Sequence, residues 1–222
     1  ITASDVNNLR KISGAGIMDC KNALVEANGD TETAIEILRK KGQKVAAKRA
    51  DRESSEGAAI AKVNSDNTIG VVISLNCETD FVAKNESFVT LANQLAELAI
   101  SHETMDDFLN CEIDSMSVNE KLIQQTGVIG EKLVIGNFEK VSAGYVGKYI
   151  HAGNKIATLV GFSKPVDGIE EASKNVAMQA AAMNPIALDE NGVDQKTIEK
   201  EIEIAKDQLR QEGKPEAMLD NI

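Results

Sequence analysis

Covalent chemistry needs a nucleophile within reach of a base, or a cluster of metal ligands. The residues of this chain best suited to either are His102, His151, Cys20, Cys77 and Cys111. The two histidines stand in an acidic loop-like stretch and beside a turn, and local spacing pairs neither with a nucleophile. The cysteines are odd in number, far apart and without CxxC spacing. That pattern fits reduced thiols in a cytoplasmic setting better than disulfides or a zinc site. Carboxylates are abundant but fall mostly at solvent-type helix positions. Gly127-Val128-Ile129-Gly130-Glu131-Lys132 has a superficial likeness to a phosphate loop, yet lacks Walker spacing. As the GxxG of an RNA-binding KH domain it lacks basic company, and a helix-ending glycine pair is the plainer reading. No cofactor, metal site or catalytic residue is expected, and the chain is read as a non-enzyme.

The residue whose placement does call for an explanation is Phe81. It lies in Cys77-Glu78-Thr79-Asp80-Phe81-Val82-Ala83-Lys84-Asn85, between a strand-like alternation and a helix-like run. Connections of this kind run over the surface and favour polar residues or glycine. The chain has only five Phe, two Tyr and no Trp, and the other four Phe lie in runs that can bury them. An apolar ring in an exposed turn is explained if its burial partner is another protein.

Length and charge limit the remaining options. The 222 residues allow one large domain or two to three smaller ones, and 42% hydrophobic content is enough for a core. No apolar run approaches membrane-spanning length, and the first residues lack a signal-peptide pattern. The net charge of −11 argues against broad nucleic-acid binding. Residues 1–56 carry 10 Lys/Arg against 9 Asp/Glu, and residues 57–222 carry 14 against 26. The basic concentration from Arg39 to Arg49 reads as a helix end with a solvated linker, or as an electrostatic contact to an acidic partner.

The elements that would position Phe81 follow from periodicity. Val6, Leu9 and Ile12 give a first apolar stripe, and Ser13-Gly14-Ala15-Gly16 breaks it. A second helix runs through Met18–Leu24 to Asn28-Gly29. Asp30 caps a third, with Arg39, Lys40 and Lys41 in a last turn before Gly42. Ile69, Val71, Ile73 and Leu75 alternate as a half-buried strand that pairs with Ala58–Val63 through Asn64–Asn67. Phe88, Leu91, Leu95 and Leu98 mark a helix, and Ser117-Val118-Asn119-Glu120 is a capping box. A second hairpin, Tyr145–His151 with Ile156–Phe162, precedes a helix with Ile169, Ala172, Val176, Ala180 and Met183 on one face. Hairpin followed by helix thus occurs twice. Ile198, Ile202, Ala205 and Leu209 form a short coiled-coil seam, Gly213-Lys214-Pro215 ends it, and Glu216–Ile222 restarts an amphipathic pattern. The stub cannot bury that seam, so the chain is expected to stop mid-architecture, as a fragment or a short member of its kind.

Two longer stretches are more specific. Leu9-Arg10-Lys11-Ile12-Ser13-Gly14-Ala15-Gly16-Ile17-Met18-Asp19-Cys20-Lys21-Asn22-Ala23-Leu24 resembles the amino-terminal signature of the elongation factor Ts family, and Asn76–Asn85 resembles that family's second signature. Ser74 departs from the Glu expected two residues before Asn76. The resemblance implies an α+β architecture: residues 1–43 as a three-helix ubiquitin-associated-like domain, 44–57 as linker and 58–142 as the core's N-terminal subdomain. It further implies 143–184 as the first part of a C-terminal subdomain, and 185–222 as the start of a helical-hairpin dimerisation segment. The implied function is exchange of guanine nucleotide on elongation factor Tu in its GDP-bound form. Thr79, Asp80, Phe81 and Val82 would dislocate the partner's Mg²⁺, and Lys21, Ile129, Gly130 and His151 would contact the partner. Each of those last four also has an ordinary structural reading: solvated helix lysine, core residue, helix end, turn histidine. A homodimer through the helical hairpin is implied as well; contact with membrane or nucleic acid is not. The competing classes are a ubiquitin-type or ribosome-associated adaptor without exchange activity and an acidic metabolic enzyme, for which no cluster of titratable groups is legible.

Overall fold

The computed structural model describes residues 1–215, so the expected amphipathic restart at Glu216–Ile222 lies outside the described residues. In chain order the elements are α1 (Ala3–Ser13), α2 (Ile17–Glu26), α3 (Thr31–Lys48), β1 (Glu56–Val63), β2 (Ile69–Cys77), α4 (Asp80–Ala83), α5 (Glu86–Ala99) and α6 (Met105–Asn110). They continue with β3 (Glu112–Ile113), β4 (Met116–Ser117), α7 (Val118–Ile129), β5 (Val134–Ser142), β6 (Tyr145–Ile150), β7 (Ala157–Phe162), α8 (Ile169–Met183) and α9 (Gln195–Gln211). The architecture mixes helix and antiparallel sheet, as an α+β chain should. Two compact units result, Ile1–Ala181 and a second that starts at Ala182.

In the first unit, α1–α3 wrap a small core of Val6, Leu9, Cys20, Ala23, Leu24 and Ala34. Their ends are set by local chemistry. Thr2 and Asp5 form a reciprocal capping box on α1, and Asp30 accepts the Thr33 amide at 2.7 Å to start α3. Gly14 closes α1 with φ +69°. Ile12 does not join this core: it is 63% exposed.

Gly42 does not end α3, contrary to the sequence reading. The helix runs on to Lys48, so the stretch expected as a linker is helical at its start and β1 from Glu56. Gly42 is buried where α3 crosses α7. A Cβ on Gly127 of α7 would lie 2.4 Å from the Gly42 Cα, so the two backbones touch and a glycine is required at Gly127. A glycine inside a helix costs roughly 1 kcal/mol against alanine. Close approach of the two axes offsets that cost here.

A three-stranded sheet of order β1-β2-β5 carries the main core, with Ile60, Val71, Ile73 and Leu75 facing Phe88, Leu95 and Phe108. Strand β5 was not anticipated. Its register against β2 slips between Ser74 and Leu75, leaving Gly136 as the extra residue of a bulge. Besides the short β3–β4 pair, a two-stranded sheet forms the expected hairpin, with β6 paired to β7 from Tyr145↔Phe162 to Ile150↔Ala157.

The apolar stripe read on α8 lies on the expected helix but is only partly buried, at Ile169 and Ala180. Ser173 and Ala177 are its buried residues, and the Thr158 hydroxyl donates to the Ala177 carbonyl at 2.7 Å. A Cβ on Gly147 of β6 would meet the Ser173 side chain at 2.5 Å, so small residues let the helix settle onto the hairpin by that face. Ala172 is exposed, and Val176 and Met183 point outward at 44% and 69% exposure.

In the second unit, Asp194 caps α9 by accepting the Thr197 amide at 3.0 Å, and the helix ends ahead of Gly213. Its apolar residues Ile202 and Ile204 are exposed.

Candidate functional site

Cys77 is the last residue of β2 and is fully buried, so the chain leaves the core there and must turn at once. Thr79 makes the turn helical: it has extended backbone angles and its side chain caps the Val82 amide. The segment expected as an exposed surface turn is a single helical turn, α4, followed after Lys84 by Asn85, whose carboxamide caps α5 through the Ser87 amide at 2.9 Å. Ala83 faces the core, and Val82 packs against it while partly exposed. Phe81 then has no inward direction left. Its side chain is 83% exposed, whereas Phe88 and Phe108 are buried and Phe138 stacks on Phe108 with ring centroids 5.7 Å apart.

The backbone entering this turn is held by a carboxylate from elsewhere. Glu131, just past the end of α7, accepts from the Thr79 amide (3.0 Å), the Glu78 amide (3.2 Å) and the Thr79 hydroxyl (2.6 Å). The strap is reciprocal. Glu78 accepts from the Lys132 amide at 2.7 Å and from Arg49 Nη1 at 2.8 Å to each carboxylate oxygen. Lys132 Nζ in turn donates to the carbonyls of Ala50 and Arg52. The end of α3, the end of α7 and the Phe81 turn thus share one hydrogen-bond network.

Electrostatics follow the same lines. The Lys132 amide bond, and secondarily Arg49, hold the Glu78 carboxyl below its usual range. Lys84, 2.6 Å from Asp80, lowers the Asp80 carboxyl and is itself raised by it. Burial, with the nearby Glu131 charge second, pushes the Cys77 thiol up to about 11, so this cysteine is a neutral core group at ordinary pH.

The other anticipated residues distribute as follows. Gly130 is the left-handed C-cap of α7, with φ +83°, and donates its amide to the Thr126 carbonyl at 2.9 Å. Ile129 is partly buried against the main core, adjoining the Glu131 strap. His151 is exposed at the β6–β7 turn, its Nδ1 2.9 Å from the Tyr149 hydroxyl. That turn sits at the same end of the sheet as α4. Asn154 accepts the Ala59 amide at 2.8 Å, and Lys155 is paired with Glu56, which lies opposite Cys77 in the register. Lys21 is exposed on α2, on a surface shared with Ile17 and the first residues of the chain, apart from these turns in sequence. Thr79 to Val82, Ile129, Gly130 and His151 thus converge on one end of the β-sheet; Lys21 belongs to the helical module.

A family model described as "Elongation factor TS" matches residues 78–222, which is most of the chain and includes the Phe81 turn and its strap. The Elongation factor Ts of Christiangramia forsetii is 68% identical over all 222 residues, covering 81% of that protein, and that of Flavobacterium psychrophilum is 67% identical over the same share. The chain belongs to the elongation factor Ts family. A more divergent relative, from Amoebophilus asiaticus, is 50% identical over 225 aligned positions, again with the whole chain covered. Membership puts the chain among proteins of translation elongation. Among the described residues no group of His, Cys, Asp and Glu could hold a metal ion, and no helix is long and apolar enough to cross a membrane.

Sequence reasoning missed Glu131 and the function of Glu78. Their partners are 29 to 54 residues away, beyond any local pattern. One signal was available: a turn entering α4 needs acceptors for its first amides, and a glutamate directly after a helix-capping glycine is free to supply them.

Proposed function

We propose that this chain binds elongation factor Tu in its GDP-bound form and promotes release of GDP, so that GTP can load. The reading assigns Phe81, with Asp80, Thr79 and Val82, to the partner's nucleotide site, where the ring intrudes and Mg²⁺ is dislodged. The single observation that carries it is an 83% exposed phenylalanine on a turn whose entry is strapped by Glu131. An aromatic ring kept in water by its own fold gains its burial energy only on docking. A ring driven into a dense interior forces the host into another discrete packing, because such interiors do not deform continuously.

Magnitudes decide how many contacts are needed. Burying one Phe yields roughly 1.5–3 kcal/mol, about one to two decades of affinity. Whatever factor weakens GDP must also weaken the chain's hold on the GDP-loaded partner. One ring cannot provide both tight docking and a large loss of nucleotide affinity. The contacts that hold the chain in place are assigned to Lys21 on the helical module, Ile129 and Gly130 beside the strap, and His151 on the neighbouring turn. Asp80 uses one carboxylate oxygen for Lys84 in an exposed pair, which leaves its other oxygen for the partner. The division into residues 1–43, 58–142, 143–184 and 185–222 belongs to the same reading, with 44–57 shared between the end of α3, a short connection and the start of β1, as does self-association through the apolar stripe of α9.

The test is GDP release from purified elongation factor Tu. Phe81→Ala is expected to slow the accelerated release at least tenfold while leaving the denaturation midpoint within error. An unaltered rate would remove Phe81 from the mechanism and favour an adaptor without exchange activity.

A further inference from the structure

We propose that Glu131 is the positioning residue of the exchange turn: it holds the Phe81 ring in its docking attitude before the partner arrives. The inference rests on the wedge reading above and adds a residue to it.

Four residues of helix do not hold themselves, since nucleation costs more than so few hydrogen bonds return. An exposed phenylalanine on a loose segment would also fold back against its own chain. Burial holds only the far end of α4, where Ala83 is buried and Val82 packs partly against the core. What fixes the entry is Glu131. Its Oε2 takes the two amides that lead into the turn, at 3.2 and 3.0 Å, and its Oε1 takes the Thr79 proton at 2.6 Å. That last bond has a directional consequence. A hydroxyl that donates to Glu131 turns its lone pairs toward the Val82 amide, 3.5 Å away, which is the cap of α4. Glu131 therefore sets both the entry path of the backbone and the rotor of the capping hydroxyl. Charge-assisted acceptors of this kind are the strong ones. Glu131 is itself seated by Gly130, whose left-handed backbone ends α7, and by Lys132, which is pinned through its amide to Glu78. Ordering before contact lowers the entropy lost on docking.

Cys77 supplies a readout that does not involve the partner. Its buried sulfur is 3.2 Å from the Thr79 carbonyl, so a thiol reagent reaches it when the turn opens. Cys20 is equally buried in the separate α1–α3 core and reports loosening elsewhere.

The experiment compares Glu131→Ala and Glu131→Gln, each with Phe81 present and in a Phe81→Ala background. GDP release from purified elongation factor Tu is measured over a range of factor concentrations, and alkylation of Cys77 and Cys20 by N-ethylmaleimide is followed in the free proteins by peptide mass spectrometry. Expected for Glu131→Ala is an about tenfold loss in the concentration-dependent exchange rate, equivalent to about 1.4 kcal/mol. No further loss is expected when Phe81 is already alanine. Cys77 alkylation should rise about tenfold relative to Cys20 in Glu131→Ala and clearly less in Glu131→Gln, whose amide oxygen still accepts. Both variants remove the charge that, after burial, raises the Cys77 thiol, so the excess of Glu131→Ala over Glu131→Gln reports opening of the turn. An equal rise in the two would overturn the positioning role. Equal losses in both backgrounds, or Cys77 and Cys20 accelerating in step, would overturn the positioning role. If Cys77 responds as expected while Phe81→Ala exchanges at the unaltered rate, the strap stands and the wedge reading falls.

Discussion

Two turns at the same end of the three-stranded sheet are built in opposite ways. The Phe81 turn is tied from behind by Glu131 and Glu78, which accept from three backbone amides, the Thr79 hydroxyl and Arg49. The β6–β7 turn carrying His151 closes on itself through the His151 amide to Ile156 and the Asn154 amide to His151. Its ties to the rest of the sheet are one backbone bond from Ala59 to Asn154 and a surface ion pair from Lys155 to Glu56, with the Tyr149–His151 contact beside them. The contrast follows from what each presents. A hydrophobic ring gains nothing from water and takes any apolar cover within reach, so its presentation requires a stiff mount. An imidazole is already solvated and can pivot until it finds a partner, so a lighter mount is enough.

The comparison can be broken at its strongest point first. Glu78→Ala removes the acceptor of the Lys132 amide and strands Arg49, and is expected to cost about 2 kcal/mol, near the middle of the range for orphaned polar partners. Chemical denaturation measures it. The loss should depend on pH. The Glu78 carboxyl titrates below its usual value in the folded chain, so its contribution is complete above the unfolded pKa of about 4.3 and disappears as pH falls through the lower folded value. The gap between wild type and Glu78→Gln should therefore close on acidification below about pH 4, and a gap that widens there would reverse the assignment. On the other turn, Lys155→Met breaks an ion pair whose side chains are 46% and 38% exposed, and should shift stability by less than about 1 kcal/mol. A loss as large as that of Glu78→Ala would mean that the two turns are equally braced. Lys84→Ala breaks an exposed i,i+4 pair and is the smallest effect, leaving the midpoint of the same denaturation curves within error.

The parts of this architecture that were legible in the sequence are those with local causes. Asp30 and the Ser117/Glu120 box start helices where side-chain oxygens meet the first amides, and both caps are present. The alternation from Ile69 to Leu75 is the central strand, and Phe81 stood out because nothing nearby could bury it. What escaped depended on encounters between distant segments. Gly42 has the composition of a helix end but serves as a crossing point, which only Gly127 explains. Strand β5 hides its alternation behind the bulge at Gly136. The stripe on α8 marked the helix through its larger apolar residues, yet close packing on Gly147 buried Ser173 and Ala177. Glu131 had no signature of its own because its hydrogen-bond partners lie some fifty residues upstream.

The Gly42–Gly127 crossing fastens two rods whose free ends both terminate at the Phe81 turn, one through Arg49 and the other through Glu131. Such a frame behaves as a caliper. Chemical changes along the exposed sides of α3 leave its jaws where they are, but one added residue between Gly42 and Arg49 swings the guanidinium about 100° around the helix axis and off Glu78. In this part of the molecule the number of residues from Gly42 to Arg49 matters as much as the glycine and the guanidinium at its two ends.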